Sequence, residues 1–240
     1  MAVFVAFAIL MVLTVANKRQ LATLRAKSRE DWILDAVGLF FQGVIIPGLQ
    51  IAVVYQLYKY FLPASSGCLN LPLIAAFCLS FVFVDYLYYW NHRLLHSRWL
   101  WHFHMVHHTM TEMHVLGTSR NTLWTSFLII YLWIHPLFIY LLQDPTWYIA
   151  GVSLSSALDL WRHSANAPAP GGLLYRLLSG LLILPQTHAW HHASTHSGNY
   201  GANLNIWDRI HGTYYECDRI PTSLGIKTNL TLIQKLFYPL

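Results

Sequence analysis

Apolar residues in this chain come in long runs, not in the alternating or one-face pattern of a water-soluble fold. A helix needs about 20 apolar residues to cross the hydrocarbon of a bilayer. The runs predict spans over residues 2–16, 36–62, 71–91, 123–142 and 146–162. The first is short. The second is long enough to tilt or break, helped by Gly43, Pro47 and Gly48. The last two form a hairpin turned by Gln143, Asp144 and Pro145. A shorter apolar piece, GLLYRLLSGLLILP, carries an arginine and is expected to lie flat at the interface or to re-enter. The N-terminal run lacks a basic leading region and a small-residue cleavage motif, so it reads as a retained span.

The pattern predicts an all-α integral membrane protein with four to five transmembrane helices and a cytoplasmic helical cap. Residues 1–240 are expected to form a single membrane domain. Its parts are N-terminal spans over 1–91, a histidine-rich connection over 92–122, a helical hairpin over 123–162 and the cap over 163–240.

Composition agrees. Charged residues make up 10% of the chain and mean hydropathy is +0.41, whereas a soluble domain is about a quarter charged. The net charge of +5 comes from basic residues that do not gather on a soluble face, which argues against nucleic-acid binding. Their placement carries more information. Five of the fifteen lysines and arginines lie in 18–29, and most others lie in 92–122 or beyond 162. With five spans these segments share one side. The connections around PASSGCLN and LQDP, on the other side, contain no Lys or Arg. By the positive-inside rule the crowded side is cytoplasmic. Cys68, Cys78 and Cys217 are widely spaced and read as small apolar fillers.

The same side holds the chemistry. Residues 92–114, HRLLHSRWLWHFHMVHHTMTEMH, include seven histidines. His92 and His96 are four apart. His104, His107 and His108 follow an H-x-x-H-H spacing that His188, His191 and His192 repeat. Residues three or four apart share a helix face, so each set is expected to project its rings together. Eight imidazoles exceed what one mononuclear site uses and suit two metal ions. His163, at the end of the last span, is a ninth candidate. Asp85 and Asp159 sit in apolar surroundings, where an unpaired carboxylate costs roughly 2–3 kcal/mol. Each is expected to accept a hydrogen bond from a ligating imidazole, Asp159 from His163 and Asp85 from His92, the alternative being a helix-packing hydrogen bond from a Tyr or Trp. His102 points away from the second box. His114, His196 and His211 read as loop residues, and His135, before Pro136, as a kink or packing residue.

These boxes resemble the fatty acid hydroxylase / sterol desaturase superfamily of membrane di-iron enzymes. DYLYYWNHRLLH looks like its first box, LWHFHMVHHT its second and LPQTHAWHH its third. NYGANLNIWDRIHGTYY is similar to the family's closing signature. Two features depart from the pattern. Arg120 is not followed by the family's histidine and glutamate, and the usual His-Asn pair is stretched to His163-Ser-Ala-Asn166.

The resemblance implies two iron ions held by His92, His96, His104, His107, His108, His163, His188, His191 and His192, with zinc able to substitute in purified protein. It implies O2-dependent hydroxylation, or desaturation, of an unactivated C–H bond in a lipid. Asn199, Tyr200, Gly201, Trp207, Asp208, Gly212 and Thr213 are expected to shape the cap behind the third box, or to serve turns and packing. No HPGG haem motif occurs, so electrons are expected from an external donor such as cytochrome b5 or ferredoxin with a reductase. The competing reading is a histidine-rich metal-binding or transport protein. Transport disagrees with histidines gathered at one face, and a zinc hydrolase would want an H-E-x-x-H motif, which is absent.

Overall fold

The structure is a computed structural model, and it describes residues 2–195, 197–217 and 220–238. His196 lies outside the described residues. Among them all regular structure is helical, with two isolated β-bridges, Leu69 to Leu142 and Leu182 to Leu204.

Helix α1 (Ala2–Ala16) is apolar on all faces and ends at Asn17, whose side chain accepts from the backbone N–H of Arg19 and Gln20. That cap starts α2 (Lys18–Arg25), which leaves α1 at 97°. α3 (Arg29–Phe61) is one continuous helix of 33 residues. It begins seven residues before the predicted span, because Ser28 caps it and Glu30 and Asp31 complement its dipole while adding nothing to hydropathy. Pro47 does not break it. π-turns at Phe41–Ile45 and Gln50–Val54 flank the proline and accommodate its missing N–H.

α4 (Leu73–Leu95) is the second helix long and apolar enough to cross a membrane. If α1 and α2 are counted as one bent span, there are three.

The expected span over 123–142 is broken. α5 (Trp101–His104) lies in the preceding connection. α6 (Thr125–Leu128) and α7 (Tyr131–Leu141) then divide the apolar run. Asn91 of α4 causes the interruption: its amide donates to the Leu128 carbonyl at 3.0 Å and accepts from the Ile130 N–H at 3.1 Å. A side chain from another helix takes the groups a continuous helix would have paired internally. α8 (Thr146–Arg162) matches its predicted bounds and packs against α1 through Leu10, Leu160 and Val115.

α9 (Leu173–Leu178) lies within the arginine-bearing apolar piece and leaves Leu173, Leu174 and Leu177 exposed. α10 (Pro185–His191) carries the third box, α11 (Ile206–Ile210) the closing signature, and α12 (Leu232–Phe237) packs against α3.

Gly38 sets how closely α3 approaches the connection after the second box. A Cβ there would overlap the Ser119 carbonyl oxygen. Gly38→Val is therefore expected to destabilise the protein by roughly 1–3 kcal/mol through overpacking. Thermal unfolding in detergent checks this, and an unchanged midpoint would contradict it.

Candidate metal centre

The chain brings all nine candidate histidines into one buried cluster with two parts. Ring nitrogens of His92, His96, His104, His108 and His191 lie within 4.8 Å of one another, as do those of His107, His163, His188 and His192. The second and third boxes do not map one to a group. α5 ends at His104 and a 3₁₀ turn carries His107 and His108, so the second box divides between the two groups. The third box divides as well: His191 joins the first group, His188 and His192 the second. His92 and His96 of the first box stay in one group, and the expectation that each box projects its rings to one place is corrected for the second and third boxes by this turn geometry.

Backbone carbonyls hold the rings. His92 Nδ1 donates to Tyr200 O at 2.8 Å, His107 Nδ1 to Arg120 O at 3.0 Å, His163 Nδ1 to Asp159 O at 2.8 Å and His191 Nδ1 to Gly198 O at 2.8 Å. A neutral ring that donates through Nδ1 keeps a bare lone pair on Nε2. His107 and His163 are both in this state, yet their Nε2 atoms face each other at 3.3 Å. Lone pair against lone pair is repulsive unless a cation lies between them. The other facing pairs are His92–His104 at 3.1 Å, His96–His108 at 3.2 Å, His163–His188 at 2.9 Å and His188–His192 at 3.2 Å. An ion bonded to imidazole nitrogens at about 2.0–2.1 Å holds neighbouring nitrogens roughly 3.0–3.4 Å apart in octahedral or tetrahedral coordination. The donor set therefore fits metal ions, in the all-imidazole environment that suits iron, copper or zinc.

Burial, then the neighbouring imidazoles, drives His104, His107, His108, His188 and His192 well below the usual 6.5. They are neutral at physiological pH, the form that ligates.

The two aspartates divide. Asp159 Oδ1 lies 3.2 Å from His163 Nδ1 and 2.5 Å from the Arg162 guanidinium, as a carboxylate orienting an imidazole would. Asp85 does not reach His92. It accepts from the backbone N–H of Asn203 at 2.8 Å and of Leu204 at 3.1 Å, and from the Trp207 indole at 2.9 Å. It ties α4 to the closing segment, because that segment's unpaired N–H groups come nearer than the imidazole two turns away.

The closing signature acts through that segment. Asn199 adopts the left-handed region at φ 53° and bridges Thr187 O and Tyr215 O. Asp208 accepts from the N–H of Tyr200 and Gly201 and from the Thr213 hydroxyl. These bonds fix the Tyr200 carbonyl under His92. Asn166 is elsewhere, 3.4 Å from the Gln20 amide. His135 bonds the Tyr148 hydroxyl at 2.9 Å, and the His211 ring stacks near Tyr86 and Tyr89.

Beside the cluster lies an ion network that the sequence reading did not anticipate. Arg120, fully buried, donates to Asp35 Oδ1 at 2.7 Å and to Asp31 Oδ1 at 2.6 Å, and Lys27 also pairs with Asp35. The available signal was Asp35 abutting an apolar run. His114 joins this network, with Nε2 at 3.7 Å from Asp35, while its Nδ1 accepts from the Gly117 N–H. Burial, then the positive charge of Lys27, lowers His114 to about 4 despite the opposing Asp35 carboxylate. Below its usual 6.5 the unfolded chain takes up a proton that the folded chain refuses until about 4, so this contribution to stability falls as pH drops through that window. Relative to His114→Gln, the wild type is expected to lose about 2 kcal/mol between pH 7 and pH 5. Parallel pH profiles of the two proteins in unfolding experiments would refute this.

Residues 77–213, more than half of the chain and all three boxes, match the fatty acid hydroxylase family. The chain belongs to that family. Among curated relatives of this fatty acid hydroxylase family member, an ornithine lipid hydroxylase from Rhizobium tropici is 29% identical over 81% of this chain and 56% of its own length. Alkylglycerol monooxygenases from Danio rerio and Homo sapiens are each 31% identical. Those alignments cover 67% and 56% of this chain, and 36% and 29% of the relatives. The chain thus spans about half, or less, of the length of these relatives. No solved structure matches it.

Proposed function

We propose that this protein is a membrane-bound di-iron oxygenase that uses O2 and two electrons to hydroxylate an unactivated C–H bond of a lipid. One observation carries the reading: a cavity of about 510 Å³ runs between apolar side chains of α1 and α3 and is lined at the cluster by His92, His104, His107, His163 and His188. Such a cavity suits a hydrocarbon chain delivered from the bilayer to metal-bound chemistry. His92, His96, His104, His108 and His191 would hold one iron, and His107, His163, His188 and His192 the other. The pair of irons would activate O2 for attack on the C–H bond.

The protein's own residues supply position and dryness. Carbonyls of Tyr200, Arg120, Asp159 and Gly198 fix four of the rings, and Asp159 orients His163. Burial of the cluster excludes bulk water. The relatives named hydroxylase and monooxygenase favour hydroxylation over desaturation. Basic residues of the histidine-bearing face, read as cytoplasmic from the distribution of charge, would receive an acidic donor such as cytochrome b5 or ferredoxin with its reductase. The transport alternative lacks a path of ligands, since His135, the histidine inside α7, is committed to Tyr148.

The test is metal analysis of protein purified anaerobically in detergent, followed by a lipid screen with O2 and reductant. About two irons per chain and an oxygenated lipid product are expected. Well-folded protein that binds no metal, or iron-loaded protein that oxidises no lipid, would overturn the proposal.

A further inference from the structure

The cavity is two-natured. Val3, Phe4 and Phe7 of α1 with Leu39, Ile46 and Pro47 of α3 make an apolar wall. Where α4, α7 and α8 meet the histidines, the lining becomes polar through Tyr88, Tyr131 and Asp159. The Tyr88 and Tyr131 rings stack at 4.7 Å and 9°, and Tyr88 lies 5.4 Å from the His92 ring. Neither phenol hydroxyl has a hydrogen-bond partner among the described residues. Asp159 gives Oδ1 to Arg162 and His163, yet 39% of its side chain remains exposed to this space. The two glutamines of the cavity are committed: Gln42 donates to Ser126 Oγ and Gln50 to the Tyr131 carbonyl.

A plain hydrocarbon drawn past Tyr88, Tyr131 and Asp159 would displace their solvent and leave them unpaired. Each stranded group costs roughly 1–3 kcal/mol, and a carboxylate more. A lipid carrying its own hydrogen-bonding group restores those bonds while its chain occupies the apolar wall.

We propose that the lipid oxidised here bears a hydroxyl or amide N–H close to the reacting carbon, docked against Tyr88, Tyr131 and Asp159, with its alkyl chain lying along α1 and α3. The site selects carbons beside the polar group, not the far end of the chain. This inference rests on the lipid-oxygenase reading for its chemistry, but the docking is testable without metal or turnover.

The test is photo-crosslinking of the full chain in detergent. Three probes are compared: hexadecan-1-ol with a diazirine beside the hydroxyl, hexadecan-1-ol with the diazirine at the far end, and a diazirine-bearing hexadecane. The first is expected to label peptides containing Tyr88, Tyr131 or Asp159, and the second peptides from 2–16 or 39–50. The double variant Tyr88→Phe, Tyr131→Phe should weaken capture of the alcohols about tenfold, as loss of roughly 1.4 kcal/mol would. Its capture of the hexadecane probe should hold or rise, because phenylalanine leaves no hydroxyl to strand, which also reports that the cavity is intact. Equal capture of alcohol and hexadecane by the wild type, or hydroxyl-end labelling in 2–16, would overturn the inference. Expected labelling with no oxidation of any lipid would instead refute the oxygenase reading and leave the docking standing.

Discussion

His107→Ala is expected to remove iron from one histidine group and leave it in the other. His107 belongs to the smaller group, with His163, His188 and His192. Its loss leaves three imidazoles and releases the Nε2 that faces His163 at 3.3 Å. The other five histidines contain no box residue that depends on His107 for its anchor, since His92 rests on Tyr200 and His191 on Gly198. On the di-iron proposal, purified His107→Ala should therefore hold about one iron per chain against about two expected in the wild type. Lipid oxidation should fall by more than about a hundredfold, because loss of even an outer partner of a ligand costs 10- to 100-fold. His102→Ala is the control. Its ring packs against Phe103 and Tyr238, outside both groups, and metal content should be unchanged. An unaltered iron count in His107→Ala would sink the assignment of the smaller group.

The sequence made part of this legible, and the reasons are specific. α1 coincides with its apolar run because it is apolar along its length, and α8 keeps its predicted bounds although serines and Asp159 interrupt its apolar residues. α3 starts earlier than its run because a helix start is set by a capping serine and acidic first-turn residues, not by hydropathy. The break before α7 was illegible locally, since it is imposed by Asn91 from a helix nearly forty residues earlier.

The site divides in the same way. Histidine spacing identified which rings gather, because imidazole is rare in apolar surroundings and its repetition carries information. It did not give the partition of each box, which depends on a 3₁₀ turn after α5 and on α10 facing both groups. The anchoring partners were out of reach altogether. They are backbone carbonyls of Tyr200, Arg120, Asp159 and Gly198, and any residue type can offer a carbonyl. Asp85 shows the converse: its side chain was conspicuous, but spacing along α4 could not reveal that residues 203–207 return to claim it.

Arg120→Met should be the most destabilising single change outside the histidines, and its effect should reach the metal. The guanidinium is 2% exposed and satisfies both Asp35 and Asp31 of α3. Removing it leaves Asp35, itself 1% exposed, facing Lys27 and a neutral His114 without its main partner. Breaking a buried pair by deleting one member costs about 3–5 kcal/mol. For a chain of this size that is roughly a 10 °C fall in Tm. The triple variant Arg120→Met, Asp35→Leu, Lys27→Met should recover much of the loss, because removing Lys27 together with its partner Asp35 leaves no buried charge stranded. The Arg120 backbone also carries the carbonyl that anchors His107, and Gly38 presses α3 against the same stretch. If the ion cluster holds that stretch in place, the single variant at permissive temperature should lose iron from the His107 group before the other, while the triple variant regains it. Recovery of Tm without recovery of iron would show that the salt bridges serve stability alone. Equal iron loss from both groups would show that the damage is general and does not act through the carbonyl under His107.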